Sequence, residues 1–362
     1  MEFNDVRLSY GALQDEIDGA IRQILAGGRY ILGPSVQTFE DEFASYCRAA
    51  DGIAVGSGTD AISIALRAID VMPQDEVLVP AVSAAATAMA VALLGAKPIF
   101  VDVSADDFNM DPALAVGRRT SRTKAVVPVH LYGMPARLKE ISESGVPLIE
   151  DAAQAHGSEA KWGRCGSFGV AAAFSFYPTK NLGTFGDGGM IVTSDSEVVH
   201  RSRLLRNYGQ HENYSSESLG YNSRLDELHA AILRIKLRSL DDWNRRRRRI
   251  AVRYREAFAD LPLATQAESG ESNYHLFVVA TPERDKLRAH LASLDIPVLV
   301  HYPIPLHRQK AFSEFTPARC PNADILCSRV LSLPIHAFLS EVDVERVIDG
   351  VRDFFRRGKM GS

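Results

Sequence analysis

The chain has 362 residues, 46% hydrophobic and 24% charged, with a formal net charge of -4; this composition supports a sizeable buried core and gives no electrostatic reason to expect a nucleic-acid partner. No apolar run approaches the roughly 20 residues that span a bilayer, and the opening MEFNDVRLSYG has neither the basic stretch nor the apolar core of a secretion signal, so a soluble cytoplasmic protein without a membrane partner is expected. The 4 cysteines, Cys47, Cys165, Cys320 and Cys327, lack paired spacing and read as small buried residues, not as metal ligands or disulfides.

In chain order, an N-terminal helix is expected to end near Ala26-Gly27-Gly28, followed by a helix over 36–47 and a strand over 52–55. Gly56-Ser57-Gly58-Thr59 then opens a helix over 60–69. Strands over 77–79, 98–101, 125–129 and 147–150 alternate with an Ala-rich helix over 84–94, the pattern of βα crossovers on a mostly parallel sheet. Two further strands, AAAFSF and GGMIVTS, flank the loop that contains Lys180, which places that lysine between paired elements of one sheet. A helix over 224–241 closes a large domain at 1–242, and 243–362 forms a smaller α+β domain with a strand over 275–279, a helix over 283–293, the segment HYPIPLH and a last helix over 342–355. The run Arg245 to Arg249, interleaved with Leu240, Trp243 and Ile250, reads as the solvated or subunit-facing side of an amphipathic helix, and the final GKMGS carries no functional weight.

Five segments carry chemistry. In FSFYPTKNLGTFGDGG, Lys180 follows an apolar strand and precedes a glycine-rich loop, where backbone can approach a ligand; an amine so placed suits Schiff-base chemistry, against the alternative of an ordinary surface lysine. In GSGTD, Gly58, Thr59 and a helix N-terminus form an anion cradle, to which Ser175 on the strand before Lys180 could add a hydroxyl. Gly56, Gly58 and Ala61 also match a short dinucleotide fingerprint, with Asp75 or Glu76 in range for a ribose, although that reading leaves Lys180 unexplained. In LIEDAAQAHG, Asp151 ends an apolar strand, where a carboxylate can keep a ring nitrogen protonated, with Gln154 and His156 nearby. Asn222 and Arg224 precede a helix and either cap it or meet a phosphate or carboxylate, while His301, Tyr302 and His307 sit in a proline-stiffened segment suited to lining a substrate pocket. No three of these groups have metal-ligand spacing.

Taken together, GSGTDA, KAVVPVHLYG, IEDAAQAHG, FSFYPTKNLGTFGDGGMIVT, LRNYG, YNSRLDELHAAILRIKL and HYPIPLHRQKAF resemble the DegT/DnrJ/EryC1/StrS family of pyridoxal-phosphate-dependent sugar aminotransferases over nearly the whole chain. The resemblance implies an aspartate-aminotransferase-like α/β fold (PLP fold type I) and a homodimer with shared active sites. It implies Lys180 as the cofactor-bonding lysine and proton carrier, Asp151 on the pyridine nitrogen, Gln154 by the ring oxygen, and Gly58, Thr59 and Ser175 on the phosphate. Asn222 would reach the phosphate from the other subunit, Arg224 would assist it or hold the donor carboxylate, and His156, His301, Tyr302 and His307 would shape the sugar pocket. One position departs from the family: Ala84 stands where relatives place an aromatic ring over the cofactor, which leaves the covering group open, with His156 as one candidate. The implied reaction moves an amino group from L-glutamate to a nucleotide-linked keto sugar. A dTDP-3-keto-6-deoxyhexose is the first expectation, UDP-linked 3-keto and nucleotide-linked 4-keto sugars are the alternatives, and the context is lipopolysaccharide, glycan or natural-product biosynthesis. A dinucleotide oxidoreductase, a non-catalytic cofactor-binding regulator and a sugar dehydratase are the competing classes.

Overall fold

The computed structural model describes residues 1–212, 214–315 and 319–360; the last two residues of the GKMGS tail lie outside the described residues. Seven short strands build the central sheet: β1 (Asp51–Val55), β2 (Glu76–Pro80), β3 (Lys97–Val101), β4 (Thr123–Val126), β5 (Ile149–Asp151), β6 (Ala171–Ser175) and β7 (Gly189–Thr193). Their order across the sheet is β1-β7-β6-β5-β4-β2-β3, with β4 and β5 joined through parallel bridges at Val126–Leu148 and Val129–Asp151. Only β7 runs antiparallel to its neighbours. All residues of β2 and β7 are buried, which is why these strands read as continuous apolar runs.

Helices cover both faces. Helix α1 (Gln14–Gly27) stops where Gly28 turns left-handed at φ 70°, and α2 (Pro34–Cys47) begins with Pro34 in its first turn. A distant carboxylate caps α2: Glu227 accepts from the backbone N–H groups of Gly33, Ser35 and Val36 at 2.8, 2.9 and 2.9 Å, satisfying donors that a helix start leaves free. Helix α3 (Gly58–Ala68) is capped by Ser57, whose hydroxyl accepts from the Asp60 N–H at 3.1 Å. Helix α4 (Ala85–Leu93) follows β2.

The helix expected over 224–241 is two helices, α5 (Glu227–Leu237) and the 19-residue α6 (Leu240–Phe258). Helix α6 runs through the position expected to divide the domains. Its buried residues Leu240, Asn244, Arg247, Ala251, Tyr254 and Phe258 recur at steps of three and four, one helical stripe. Arg247 is therefore an exception within the arginine run: it is inside, whereas Arg245, Arg246 and Arg249 are exposed. Beyond α6 lie β8 (Ala264–Thr265), β9 (Phe277–Ala280) and β10 (Val330–Leu333), an antiparallel sheet. It packs with α6, α7 (Arg284–Ser293) and α8 (Glu341–Met360) around Tyr254, Phe277, Leu291, Val347 and Val351. Leu276, Val278, Phe312 and Val330 instead join the core of the large sheet. All four cysteines are buried and free, as expected. Among the described residues no helix is long and apolar enough to cross a membrane, and no group of three or more His, Cys, Asp or Glu could hold a metal ion.

Gly189, at the start of β7, fixes how the GSGT turn sits on the sheet. A Cβ there would stand 2.2 Å from the Ser57 carbonyl oxygen and 2.8 Å from the Gly58 nitrogen, and backbone cannot yield as a side-chain tip can. Gly189→Ala should destabilise the fold by about 1–3 kcal/mol, read from the midpoint of urea unfolding at constant slope; an unchanged midpoint would show that the turn is not seated on this residue.

Candidate active site

The carboxyl ends of β5 and β6 and the turn after β1 meet at one edge of the sheet. Alternation along β6 sends Ala173 toward the same face as Ser175, and Phe174 toward the face it shares with Phe176. Gly58 lies against Ser175: a Cβ on Gly58 would be 2.7 Å from the serine Cβ and 3.3 Å from its Oγ. The helix N-terminus at Gly58 and Thr59 and the Ser175 hydroxyl thus converge, as the anion-cradle reading requires.

Asp151 ends β5 and is 4% exposed. Its Oδ2 accepts from the Thr87 hydroxyl at 2.7 Å and its Oδ1 from the Ala153 N–H at 3.1 Å. Burial raises its pKa, opposed by those donors and by the charge of Lys180. Lys180 follows a tight turn in which its N–H donates to the Tyr177 carbonyl at 2.9 Å. Among the described residues its amine has no hydrogen-bond partner, and burial lowers its pKa to about 8, with Asp151 pulling the other way. The two groups influence each other electrostatically without forming a contact ion pair.

Gln154 is committed on both sides. Its Oε1 accepts from the Tyr132 N–H at 2.7 Å, and its Nε2 donates to the Tyr302 hydroxyl at 3.1 Å. Burial pushes the Tyr302 phenol up to about 12, so it keeps its proton at neutral pH. His301 is half-buried, shares a 2.9 Å hydrogen bond between Nδ1 and Ser332 Oγ, and accepts at its carbonyl from the Tyr132 hydroxyl. Burial and the nearby Lys180 charge bring its pKa down to about 4, so the ring is neutral.

Other expected residues fall elsewhere. His156 has no accessible surface and packs among Phe43, Phe174 and Phe176, on the sheet face opposite Ser175, so it neither presents itself to a substrate nor covers the Asp151 side. His307 is buried beside Phe100 and Asp324, with Nε2 3.2 Å from the Asp324 carboxylate, and makes no contact with the Lys180 cluster. Arg224 donates to Asn207 Oδ1 at 2.9 Å and lies over the Tyr208 ring. Asn222 is exposed, next to Ser223, which accepts from the Gly56 N–H at 2.9 Å and donates to Asp60 at 2.7 Å. The ribose alternative fails on geometry: Glu76 starts β2, at the opposite end from the glycine turn, and its carboxylate is taken by Thr120 and Arg122. Thr87 was missed, although a hydroxyl in the first turn of an Ala-rich helix after β2 was the available signal.

These groups suit pyridoxal phosphate. A buried carboxylate with hydroxyl and amide donors but no cation in contact matches a protonated ring nitrogen, the cradle matches a phosphate, and the amine matches an aldehyde carbon. The model of the DegT/DnrJ/EryC1/StrS aminotransferase family matches residues 12–352. The chain belongs to this family. The aminotransferase is 45% identical to the dTDP-3-amino-3,4,6-trideoxy-alpha-D-glucose transaminase of Streptomyces venezuelae, over 98% of this chain and 96% of that protein. It is 44% identical to the dTDP-3-amino-3,6-dideoxy-alpha-D-galactopyranose transaminase of Aneurinibacillus thermoaerophilus, over 97% and 99% of the two. Its fold superposes with a TM-score of 0.96 on the crystal structure of S. venezuelae DesV in complex with a ketimine intermediate, at 44% identity and 98% coverage of both chains. The expected type I fold and the pyridoxal phosphate dependence hold for this enzyme.

Thr87→Val keeps the shape but removes the donor to Asp151. Cofactor affinity, measured by quenching of protein fluorescence, should fall about tenfold, equivalent to about 1.4 kcal/mol; an unaltered dissociation constant would mean that Thr87 does not support the carboxylate.

Proposed function

We propose that this aminotransferase moves an amino group from L-glutamate to a dTDP-linked 3-keto-6-deoxyhexose. Two relatives support that substrate: their names share dTDP, an amine at C3 and a deoxygenated C6, and differ at C4. The observation that carries the chemistry is the half-buried Lys180 amine, its pKa drawn down to about 8, beside the sealed Asp151 carboxylate.

Pyridoxal phosphate, when bound, stabilises negative charge on the carbon attached to nitrogen. Gly58, Thr59 and Ser175 would hold its phosphate, Asp151 would face its ring nitrogen, and Gln154 would stand near its ring oxygen. Thr87 and the Ala153 N–H hold the Asp151 carboxylate in place, and burial keeps water from competing for it. Lys180 Nζ is the group that takes a proton from the donor carbon and returns one to the acceptor, a task suited to an amine that is part-neutral near pH 7. Tyr302 offers a protonated phenol and His301 a neutral ring to the sugar side. Asn222, exposed on its own chain, would complete the phosphate site of a second copy, and a homodimer with shared sites follows from that reading.

Borohydride reduction of the cofactor-loaded protein should leave a pyridoxyl group on Lys180 by peptide mass; its absence would end the proposal. Because the neutral amine is the reactive form, cofactor uptake by the apoprotein should quicken as pH rises through about 8. Asp151→Asn removes a charge that favours the ammonium, so this profile should move to lower pH. Offered dTDP-3-keto, UDP-3-keto and dTDP-4-keto sugars, the enzyme should aminate the first, with the new C3 amine located by NMR; turnover of another substrate alone would overturn the substrate reading. Mixing inactive Asn222→Ala with inactive Lys180→Ala protein should restore activity through heterodimers, whereas sites confined to one chain would stay inactive.

A further inference from the structure

From the end of β2 through α4 the chain reads PAVSAAATAMAVAL, and its only polar side chains are those of Ser83 and Thr87. Both are sealed: Ser83 is 3% exposed and Thr87 has no accessible surface. Their hydroxyl oxygens lie 3.0 Å apart, and Thr87 in turn donates to Asp151 Oδ2 at 2.7 Å. We infer that Ser83 is a positioning residue for the reaction: its hydroxyl donates to Thr87, holds the threonine proton on Asp151 and so keeps that carboxylate ionised. What the carboxylate faces rests on the cofactor reading above; the link from Ser83 to Asp151 rests on the hydroxyl chain itself.

Each hydroxyl carries one proton, and an ionised carboxylate can only accept. The Thr87 proton is therefore committed to Asp151, and only the Ser83 proton can fill the 3.0 Å contact. The chain runs one way, from Ser83 through Thr87 to Asp151, and each donor polarises the next. If Asp151 takes up a proton, its carboxyl can donate to Thr87 and the direction turns round. Thr87 then donates to Ser83, and the Ser83 proton is stranded, because among the described residues the Ser83 hydroxyl has no other partner. A buried donor without an acceptor is unfavourable, so Ser83 biases the chain toward the charged form of Asp151.

Asp151 needs this support. Burial raises its pKa, and among the influences that oppose burial the Thr87 hydroxyl acts most strongly, ahead of the Ala153 N–H, Lys180 and His130. Lys180 comes from the turn after β6, and His130 precedes the turn Leu131–Gly133 and is engaged with Glu150 at 2.9 Å. Tyr302 also feels the Asp151 charge, which together with burial holds the phenol in its protonated form. Among the described residues none of these groups bonds to Ser83 or Thr87, so a change at Ser83 leaves them in place. The sign follows from the direction of the chain. A donor to a carboxylate lowers its pKa; without Ser83 the pKa of Asp151 rises, and the charge is lost at a higher pH as the solution is acidified.

The probe is 4-deoxypyridoxine 5′-phosphate, which keeps the ring nitrogen and phosphate of the cofactor but has no aldehyde for Lys180. Its dissociation constant is measured by fluorescence quenching across the acid range. The ratio of Ser83→Ala to unmodified protein should be near one above the Asp151 titration and rise to roughly threefold below it. In the cofactor-free protein, the infrared carbonyl band of protonated Asp151, assigned by its loss in Asp151→Asn, should titrate about half a pH unit higher in Ser83→Ala. Ser83→Thr, which keeps the hydroxyl, should restore both readouts, and in a Thr87→Val background Ser83→Ala should move neither. An unmoved infrared band, even beside weaker probe binding at every pH, would mark lost packing alone and overturn the assignment. A shift that survives Thr87→Val, or one that Ser83→Thr does not reverse, would overturn it too. A shifted infrared band with a probe ratio flat across pH would leave the link from Ser83 to Asp151 standing and count against Asp151 as the partner of the ring nitrogen.

Discussion

A carboxylate shut away from water at the end of a strand must be met by donors, or it takes up a proton and loses its charge. Asp151 is met by one hydroxyl and one backbone amide, and among the described residues no cation touches it. Burial still raises its pKa, so the donors offset only part of the cost of its charge, the condition under which a ligand cation gains most from arriving. Lys180 feels the same field from a distance: burial favours the neutral amine, Asp151 favours the ammonium, and the balance falls near pH 8. Neither group would have these properties at the surface, where solvent screens such charges.

Close backbone packing sets the distances around that pair. The GSGT turn rests on Gly189, and Gly58 touches Ser175, so strands β1, β6 and β7 contribute to one small region without room for another Cβ. The glycines therefore act as spacers between backbones. Helix α6 does comparable work on the far side: Asn244 binds the carbonyl of His156 and the amide of Asn181, while Arg247 gathers carbonyls from residues 274, 275 and 335.

Lys180, Asp151 and the GSGT turn were legible in the sequence because each is a local signal, a strand end followed by a turn or helix start. The sheet was legible for the same reason, apart from β4, which is shorter than its apolar run because Pro128 interrupts the ladder. What could not be read was which way side chains face once a strand has ended. His156 lies five residues beyond Asp151, past any parity rule, and went to the aromatic face; His307 went to a separate pocket beside Asp324. Arg224, expected to cap its helix or to meet a phosphate or carboxylate, donates to Asn207, a partner that nothing in its own neighbourhood reveals. Arg247 erred in the other direction: five arginines in a row look solvated, although the steps of three and four from Leu240 to Phe258 place this one inside. Charge counting and periodicity disagreed there, and periodicity decided.

The turn that presents Lys180 is completed by contacts far along the chain. Asn181 donates to Asn244, 63 residues later, and to the carbonyl of Asn273, 92 residues later. Such loops close slowly, since chain entropy must be lost before the contact forms. Emerging from the ribosome, the chain would therefore carry the Lys180 amine on an unfinished turn while more than 90 residues were still to be made. The surroundings of this amine are completed late in the life of the nascent chain, after the scaffold that restrains it.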